Sequence, residues 1–464
     1  MFGRVLRSAV SALRIAPKNA FLRHDKEKFR QPFMKNPLRV GLVGLGTVGC
    51  SVVSILQTQT DLLRKICDHP IQIIAVSARD RTRHRHADVS AYTWHDDPLA
   101  LARDPRVDVV VEMVGGQNGI ALDVCQTALA NGKSVVTANK AMMAHHGVAL
   151  AMQAETKGLS LCYEAAVAGG IPILKMLREG SSANTIESLY GILNGTCNYI
   201  LTTMAKTGAS FEDVLEEAKR LGYAEADPSF DIDGIDTAQK LALLSSMAYG
   251  VVPDVNNLYV EGIRGLSAAD VAAAEDIGYV IKLIAKARYH RGILHQAVYP
   301  ALIPNHIPLA HVDDVFNGVL FKGDFLGEIM VTGRGAGGDP TASAIMADLI
   351  DLANHRHVYP FKVSVRDLIQ AKPESMDTYT CRYYVRFMLR DVAGAVSHVA
   401  RILADHDVSI RSLKQPEAEY HQGIVPLILT THECQESVIQ KTLSEIRALD
   451  ILCDDPKLLR VEPF

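Results

Sequence analysis

Several carboxylates precede one lysine near the middle of this 464-residue chain. The segment reads Gly222-Tyr223-Ala224-Glu225-Ala226-Asp227-Pro228 and continues with Asp231, Asp233, Asp236 and Lys240. Carboxylates can bind a substrate ammonium group, and a lysine can give a proton to an oxygen that gains negative charge. Asp236 and Lys240 are four positions apart with the aspartate first, which is the favourable order on one face of a helix. An ordinary surface ion pair would have the same spacing, so spacing alone leaves both interpretations open.

A glycine-rich turn near the start of the folded part indicates that the chain binds a dinucleotide cofactor, which could take part in a reaction with this lysine. An apolar run after Pro37 leads into Gly44-Leu45-Gly46-Thr47-Val48-Gly49, and an apolar helical pattern follows. A GxGxxG motif between a strand and a helix is typical of a dinucleotide-binding turn. Its glycines allow a tight turn, a close approach to the pyrophosphate and packing of helix on strand, while the first helical amides bind phosphate. The predicted cofactor contacts in this turn are Gly44, Gly46, Thr47, Val48 and Gly49.

The end of the second predicted strand, residues 71–76, indicates which dinucleotide binds. An NAD enzyme usually carries an acidic residue at this position, whereas this chain reads Ser77-Ala78-Arg79-Asp80-Arg81. A small hydroxyl followed by a guanidinium suits a 2′-phosphate, which arginine can bind with two hydrogen bonds. The sequence therefore predicts NADP with Arg79 as a contact, and Asp80 keeps NAD open. For the other basic residues of the segment, a solvated loop is an equal alternative.

Two more apolar runs, 107–111 and 134–137, alternate with helical patterns. This order predicts a Rossmann-type, doubly wound parallel sheet, whose strand ends point toward the ligand. Gly115 and Lys140 follow the two runs and are therefore predicted to lie near the cofactor. A lysine at such an edge is more often a surface residue, but beside a cofactor it could hold the nicotinamide end or a substrate carboxylate.

The composition limits the possible partners and location. A net charge of −4 gives no basic surplus for nucleic acid, and no apolar run approaches the roughly 18 residues of a membrane span. Eight cysteines are scattered without a CxxC pair, which argues against a zinc site and favours a cytoplasmic protein over a secreted one. The basic residues 1–36 are predicted to be a disordered extension, with organellar import as the lesser alternative.

Four motifs in a fixed order resemble one enzyme family. They are Val135-Val136-Thr137-Ala138-Asn139-Lys140, Tyr163-Glu164-Ala165-Ala166-Val167-Ala168-Gly169-Gly170-Ile171-Pro172, Gly191-Ile192-Leu193-Asn194-Gly195-Thr196-Cys197-Asn198-Tyr199 and the segment from Gly222 to Lys240. Together they resemble monofunctional homoserine dehydrogenase from about residue 38 to the C terminus. The resemblance implies the reversible reduction of L-aspartate 4-semialdehyde to L-homoserine, with threonine, methionine and isoleucine as the end products of the pathway.

The resemblance also implies roles for single residues. Lys240 is expected to donate a proton, with Asp236 and Lys140 completing the catalytic group, and Lys140 is expected close to both nicotinamide and substrate. Glu225 and Asp236 are expected to bind the substrate. The further expected contacts are Asn194, Gly195, Thr196 and Tyr223 with the substrate, and Gly222 and Gly337 with the cofactor.

A monovalent cation, sodium, is also implied by the resemblance. Its expected ligands are Glu164 and the backbone carbonyls of Val167, Gly169 and Ile171. Oxygen ligands of this kind suit an alkali ion, yet Glu164 could equally be a buried partner of a backbone amide.

The C-terminal part has the order β-α-β-β-α-β, which predicts a ferredoxin-like unit. It resembles an ACT domain, in which the turn Asp391-Val392-Ala393-Gly394 would bind an amino-acid effector through Asp391 and Gly394. Many such turns carry proline where this chain has Ala393. Threonine, the downstream product of the implied pathway, is the expected effector.

The predicted fold class is therefore α/β, with a Rossmann-type sheet, an α+β catalytic and dimerisation domain, and the ACT domain. In the middle domain we expect helices over 211–220, 236–249 and 268–287 and strands over 186–193, 295–302 and 327–332. The predicted domains are the extension 1–36, a cofactor domain 37–165 completed by 333–356, a catalytic domain 166–332, a linker 357–379 and the ACT domain 380–464.

Two functions from different classes remain open at this point. The first is a feedback-regulated homoserine dehydrogenase that forms a homodimer or homotetramer. The second is a catalytically silent sensor that binds a nucleotide and an amino acid in the same pockets. The presence of Lys140, Glu225, Asp236 and Lys240 together favours the enzyme.

Overall fold

The computed structural model describes residues 36–415 and 423–464. The predicted basic extension lies outside these ranges apart from Asn36, so its disorder and the cytoplasmic location of the protein stay predictions. Among the described residues, no helix is both long and apolar enough to cross a membrane.

The N-terminal part forms a six-stranded sheet in which every neighbouring pair is parallel. Its strands are β1 (Leu38–Val43), β2 (Ile71–Ser77), β3 (Thr93–Trp94), β4 (Val109–Glu112), β5 (Ser134–Thr137) and β6 (Leu161–Cys162). Its helices are α1 (Thr47–Thr58), α2 (Thr60–Ile66), α3 (Pro98–Arg103), α4 (Ile120–Ala130) and α5 (Lys140–Thr156). The spatial order is β3-β2-β1-β4-β5-β6, so the chain changes direction across the sheet between β1 and β4. Ligands bind at such a switch point, and the predicted Rossmann-type sheet is confirmed.

A second, mostly antiparallel sheet follows. Its strands are β7 (Ile186–Ile192), β8 (Tyr259–Val260), β9 (Tyr279–His290), β10 (Ile293–Pro304), β11 (Phe316–Gly323) and β12 (Gly327–Arg334), in the order β12-β11-β7-β9-β10 with β8 beside β10. The helices of this part are α6 (Ile173–Lys175), α7 (Gly195–Thr207), α8 (Phe211–Arg220), α9 (Ser229–Ile232), α10 (Ile235–Tyr249) and α11 (Ala268–Asp276). Helices α7, α10 and α11 pack against β9.

The predicted helix 268–287 is wrong in its second half. Helix α11 ends at Asp276, and β9 begins at Tyr279 and pairs with β10 along its whole length. Gly278 has a φ of +85°, a conformation that glycine adopts easily and that ends the helix. The alanine-rich first half favours a helix, but the later residues alternate around aromatic and β-branched positions, which favour a strand. Strand β11 was not predicted.

The chain then returns to the first sheet before it forms the C-terminal domain. Helix α12 (Gly338–Ala353) packs against α1, and Asp339 accepts a hydrogen bond from the Ser51 hydroxyl at 2.7 Å. Within the predicted linker, β13 (Lys372–Pro373) pairs with β10. This connection therefore lies along the edge of the second sheet.

The C-terminal part has the predicted β-α-β-β-α-β order with one addition, a two-residue strand before the last helix, which was not predicted. Its elements are β14 (Thr380–Arg390), α13 (Ala395–Asp405), β15 (Ile410–Lys414), β16 (Ile424–Thr431), β17 (Cys434–Gln435), α14 (Glu436–Ile446) and β18 (Leu452–Val461). Strand β18 also pairs in parallel with β10, through Ala301 with Arg460 and Leu302 with Val461. The second sheet therefore continues into the C-terminal sheet in the order β10-β18-β14-β16-β15.

Candidate active site

A hydrogen-bonded cluster lies where β7 ends and α7 and α10 begin. Asn194 caps α7, because its side-chain oxygen accepts the Cys197 amide at 2.8 Å. Its amide nitrogen donates to Asp231 Oδ1 at 2.8 Å and to Asp236 Oδ2 at 2.9 Å. A helix cap thus also aligns two carboxylates that come from a different part of the chain.

Lys240 and Lys140 lie on the two sides of the Asp236 carboxylate. Lys240 Nζ donates to Asp236 Oδ2 and to the Leu193 carbonyl, both at 2.7 Å, and Lys140 Nζ lies 3.1 Å from Asp236 Oδ1. The Lys240 side chain is 10% exposed and that of Lys140 is 32% exposed, so this is not an ordinary surface pair. Since Lys140 follows β5, the Lys140–Asp236 pair joins the first sheet to the second part of the chain.

The charges around Asp236 decide its protonation state. Burial alone would raise the pKa of its carboxyl group, but the Lys240 and Lys140 ammonium groups and the hydrogen bonds from Lys240 and Asn194 outweigh burial and lower the pKa to about 2. Asp236 is therefore ionised at any pH at which the protein would be assayed.

Asp231 belongs to the same cluster, although the sequence analysis assigned it no contact. It accepts hydrogen bonds from Asn194 and, at 3.2 Å, from the Thr196 hydroxyl. Burial, with the charge of Asp236 second, raises the pKa of Asp231. Its position in the acidic segment was the available signal, but only the tertiary structure shows which of these carboxylates turn inward.

Glu225 is outside this hydrogen-bonded cluster. Its side chain is exposed and makes no hydrogen bond or ion pair with any described residue. Tyr223 is also largely exposed, and its ring lies 5.0 Å from that of Tyr199. Gly222 has a φ of +77°, with no atom near the position that a Cβ would take. Glu225, Tyr223 and Gly222 thus line the surface beside the cluster, and their predicted contacts with substrate and cofactor stay predictions.

The glycine-rich turn has the geometry that its sequence predicts. Gly44 has a φ of +102°, and a Cβ there would lie 2.7 Å from the Met113 carbonyl oxygen. A Cβ on Gly49 would lie 2.2 Å from the carbonyl oxygen of Gly44, whereas Gly46 has open space around it. The first and third glycines are therefore required by the fold, and the middle one leaves room for a ligand. At the start of α7, a Cβ on Gly195 would likewise lie 2.9 Å from the Val315 carbonyl oxygen, so this position also requires glycine.

Helix α12 brings further groups to this turn. Gly337 precedes α12 with a φ of +127°, and a Cβ on Gly338 would lie 2.8 Å from a Thr47 side-chain carbon. This segment therefore packs against the glycine-rich turn, and its membership of the cofactor domain stays a prediction. A direct contact of Gly337 with a nucleotide stays a prediction.

The loops at the ends of β2 and β4 lie at the same edge of the sheet. Gly115 has a φ of +84° with open space around it, and the buried Glu112 carboxylate accepts the amides of Val114 and Gly115 at 2.7 and 3.0 Å. Arg79 is exposed and makes no hydrogen bond or ion pair with a described residue. Its guanidinium is therefore available to a ligand.

Glu164 is a buried carboxylate whose side chain binds the backbone amides of helix α6. Its two oxygens accept the amides of Leu174 and Lys175, each at 2.9 Å, and its own amide donates to Asp348 at 3.0 Å. Burial, reinforced by Asp348, raises the pKa of Glu164 to about 8. The interpretation of Glu164 as a partner of backbone amides is therefore correct. No group of three or more His, Cys, Asp or Glu side chains suited to a metal occurs in the described ranges.

The predicted effector turn connects β14 to α13. Gly394 has a φ of +90° and precedes the helix, and Asp391 is exposed, with its amide donating to the Gly423 carbonyl at 2.8 Å. The strand-to-helix turn was placed correctly by the sequence.

The fold and this site together define a nicotinamide-dependent oxidoreductase with a C-terminal ferredoxin-like domain. The model for "Homoserine dehydrogenase, NAD binding domain" matches residues 44–164, that for "Homoserine dehydrogenase" matches residues 172–350, and that for "ACT domain" matches residues 383–450. The chain belongs to the homoserine dehydrogenase family.

Whole-chain relatives support the same assignment. The chain is 39% identical to the homoserine dehydrogenase of Pseudomonas aeruginosa over 432 residues, which are 92% of this chain and 99% of that protein. The Bacillus subtilis enzyme is 34% identical, with 92% and 98% of the two chains covered. The protein is thus an NAD(P)-dependent homoserine dehydrogenase by family, and the predicted enzyme class is confirmed.

Solved structures agree with the fold. The crystal structure of a homoserine dehydrogenase from Thiobacillus denitrificans has a TM-score of 0.86 and 39% identity, covering 92% of this chain and 98% of its own. That of the Staphylococcus aureus enzyme at pH 7.5 has a TM-score of 0.73 and 32% identity, covering 92% and 100%. A hyperthermophilic archaeal homoserine dehydrogenase in complex with NADPH has a TM-score of 0.58 and 27% identity, covering 68% and 97%.

Proposed function

We propose that the cluster of Lys240, Asp236 and Lys140 reduces L-aspartate 4-semialdehyde reversibly to L-homoserine with a hydride from NAD(P)H. The main support for this proposal is the contact of Lys140 and Lys240 with Asp236. It places two ammonium groups on one buried carboxylate, at the junction of the first, parallel sheet and the second part of the chain. When bound, the reduced cofactor would supply a hydride to the aldehyde carbon, and a proton from Lys240 would neutralise the carbonyl oxygen as it becomes an alkoxide.

Each side chain has a proposed role in this step. Lys240 donates the proton, and Asp236 holds the Lys240 ammonium group in place. Lys140 would lie close to both nicotinamide and substrate when these are bound. Glu225 binds the substrate, and we add Asp231, because Asn194 and Thr196 hold its carboxylate in the same cluster. The remaining proposed substrate contacts are Asp236, Asn194, Gly195, Thr196 and Tyr223, and the remaining proposed cofactor contacts are Gly44, Gly46, Thr47, Val48, Gly49, Gly115, Lys140, Gly222 and Gly337.

The test is homoserine-dependent reduction of NADP and of NAD, followed at the absorbance of the reduced nicotinamide. Turnover that requires homoserine is the expected result. Absence of turnover with both cofactors, in protein that still binds threonine, would contradict the proposal and favour the catalytically silent sensor.

We propose NADP as the preferred cofactor, with Arg79 binding its 2′-phosphate. The free guanidinium at the end of β2 supports this preference, and the structure of the archaeal relative is a complex with NADPH. Arg79→Ala should weaken NADP binding by about tenfold to a hundredfold, because it removes a charge-assisted contact, and should change NAD binding little. Dissociation constants from titration calorimetry would measure both. Arg103→Ala, at the exposed end of α3, is the matched control, and equal losses for NADP and NAD in Arg79→Ala would contradict the assignment.

We also propose that sodium binds beside Glu164. The oxygen donors suit an alkali ion, and the carbonyl oxygens of Val167 and Gly169 accept no hydrogen bond from the described residues, although that of Ile171 accepts the Ile173 amide at 2.7 Å. Since both Glu164 oxygens already hold helix amides, sodium would share this carboxylate with the start of α6. When bound, the ion would supply positive charge to the two buried carboxylates of Glu164 and Asp348.

Sodium should therefore stabilise the protein more at high pH than at low pH. The pKa of Glu164 is raised from 4.5 to about 8, so the folded state holds the proton more tightly and loses stability as pH rises across this interval. Sodium needs the ionised form and should offset this loss. We expect a higher melting temperature in sodium chloride than in choline chloride at a pH of about 9, and a smaller difference at a pH of about 6. Glu164→Gln should remove the difference and Glu212→Gln should keep it, whereas equal melting temperatures of the unmutated protein in both salts at high pH would count against the ion.

Threonine is the proposed effector, with Asp391 and Gly394 as its contacts. The match to the ACT domain and the exposed turn before α13 support this proposal. Threonine should lower turnover, and Asp391→Ala should raise the concentration needed for half the effect by about tenfold, because it removes a charge-assisted contact with the effector ammonium. Asp405→Ala, in the same domain, is the control. Inhibition unchanged by Asp391→Ala would place the effector elsewhere.

We propose that the chain forms a homodimer or homotetramer through the second sheet. Strand β12 is an edge strand, and the neighbouring Phe325 is 90% exposed. Light scattering of the full chain tests this proposal, and a monomer at assay concentrations would contradict it.

A further inference from the structure

A pocket lies between the C-terminal sheet and the turn that joins α11 to β9. Its volume is about 210 Å³. Ile277 and Tyr279 form one wall, and the opposite walls include Arg382 of β14, Arg411 and Ser412 of β15, and Thr430 of β16. The pocket therefore has walls from two domains, and it is a different place from the exposed turn at Asp391.

A β-bulge turns an arginine into this pocket. Successive residues of a regular strand point to opposite faces, yet Arg411 and Ser412 both line the pocket. The register explains this, because Ile410 pairs with Thr431 and Ser412 pairs with Thr430, which leaves Arg411 as the extra residue. Bulges commonly redirect a side chain beside functional sites.

The two arginines of the pocket have no ionic partner in the described part of the chain. Neither the side chain of Arg382 nor that of Arg411 makes a hydrogen bond or an ion pair there. Their neighbours on the same sheet face do, since Arg386 binds Asp270 at 2.6 and 3.1 Å and Lys414 binds Asp276 at 2.7 Å. The fold thus neutralises the adjacent cations and leaves these two guanidinium groups available.

Hydroxyl groups complete the lining. Ser412 Oγ and Thr430 Oγ1 are 2.6 Å apart, so they share one hydrogen and the second hydroxyl hydrogen is available to a ligand. The Tyr279 hydroxyl makes no hydrogen bond with a described residue. No aspartate or glutamate of the described residues lines the pocket.

We propose that this pocket binds a small dianion, either a phosphate or a dicarboxylate. Two guanidinium groups and free hydroxyl donors match the charge and the acceptor oxygens of such a ligand. The absence of a lining carboxylate disfavours a zwitterionic amino acid, whose ammonium group would have no anionic partner. The volume is below the roughly 300 Å³ at which drug-sized sites begin, so the ligand is a small metabolite or the free ion.

The bound anion would connect the two domains. It would contact β14 and β15 on one side and the α11–β9 turn on the other, through Tyr279. A ligand that binds only the folded chain stabilises it, so occupation should also raise the melting temperature.

Titration calorimetry on the full chain tests this inference, with inorganic phosphate and succinate as probes at constant ionic strength. NADP is present at saturation so that phosphate cannot bind at the glycine-rich turn. We expect one site per chain for at least one probe. R382Q and R411Q should each weaken binding by about tenfold or more, while R401Q, which changes an exposed arginine of α13, should not.

Tyr279→Phe keeps the packing and removes only a hydroxyl, so it remains informative if an arginine variant folds poorly. It should weaken the anion by about threefold to tenfold, the effect of one lost hydrogen bond. Binding of phosphate alone would identify a phosphate site, and binding of succinate alone a dicarboxylate site. No binding of either probe, or equal affinity in R382Q, R411Q and the unmutated protein, would overturn the proposal.

Discussion

Lys240→Met should lower turnover with homoserine by about a hundredfold to ten-thousandfold, the range that general acid catalysis contributes. The ammonium group of Lys240 lies 2.7 Å from both Asp236 Oδ2 and the Leu193 carbonyl, and methionine fills a similar volume without a proton to give. Cofactor affinity should change little, because Lys240 lies in the second part of the chain. Steady-state kinetics and a separate titration with NADP would measure the two effects.

Two control variants show whether the loss of turnover comes from the missing proton donor or from a disturbed fold. Lys206→Met removes a half-exposed lysine that pairs with Asp314 on the surface, and it should keep normal turnover. Lys240→Arg keeps a positive charge beside Asp236 but holds its proton too tightly to donate it. If Lys240→Met retained the turnover of the unmutated protein, the proton donor would have to be another group.

The pKa of Asp236 should rise in Lys240→Met. The carboxylate would keep Lys140 and Asn194 but lose one of the two cations that hold its pKa at about 2. A lowered pKa in the folded state contributes stability that is lost as pH falls through that pKa. In Lys240→Met this pKa would lie closer to the unfolded value of 3.8, so the variant should lose less stability than the unmutated protein as pH falls from about 4 to about 2.

Local sequence signals predicted most of the elements that carry this site. Gly49 is required by its close contact with the Gly44 carbonyl oxygen, and Gly44 adopts a positive φ within the turn itself, so the spacing of these glycines is visible in the sequence. The pairing of Asp236 with Lys240 is also local, because one helical turn separates them. Both features depend on neighbours within a few residues.

The rest of the site depends on contacts between distant segments. Lys140 meets Asp236 across 96 positions, 236 minus 140, and Asn194 meets Asp231 across 37 positions; no periodic pattern predicts either pair. The sequence also could not show that Asp231 joins the cluster whereas Glu225 stays on the surface, because both are acidic residues of the same segment. The prediction of helix 268–287 failed because α11 passes into β9 through the short turn Ile277-Gly278, which contains no proline to mark the end of the helix.

Arg460→Met should destabilise the folded chain by about 3–5 kcal/mol, the usual cost of breaking a buried ion pair from one side. Arg460 is 1% exposed and donates two hydrogen bonds to Glu436, at 2.9 and 2.7 Å, and one to Glu261 at 2.7 Å. Its guanidinium also lies 5.0 Å from the ring centre of Tyr259. Chemical unfolding of the full chain, followed by circular dichroism, should show a lower midpoint.

The cost should arise mainly from the acids that lose their partner. Glu436 belongs to the C-terminal domain and is 3% exposed, whereas Glu261 follows β8 in the second part of the chain. One guanidinium thus neutralises carboxylates from both sides of the β10–β18 junction. Without it, at least Glu436 must remain buried with only the hydrogen bonds from Tyr383 and Gln440 and no cationic partner, or take up a proton.

A second substitution distinguishes this explanation from a simple loss of packing. If the unpaired Glu436 carboxylate causes the loss, adding Glu436→Gln to Arg460→Met should recover part of the stability, because the buried charge disappears. If lost packing of the arginine dominates, the double variant should be no more stable than Arg460→Met. Arg401→Met, an exposed change on α13, is the control for the substitution itself. An unfolding midpoint of Arg460→Met equal to that of the unmutated chain would show that this buried arginine contributes no net stability.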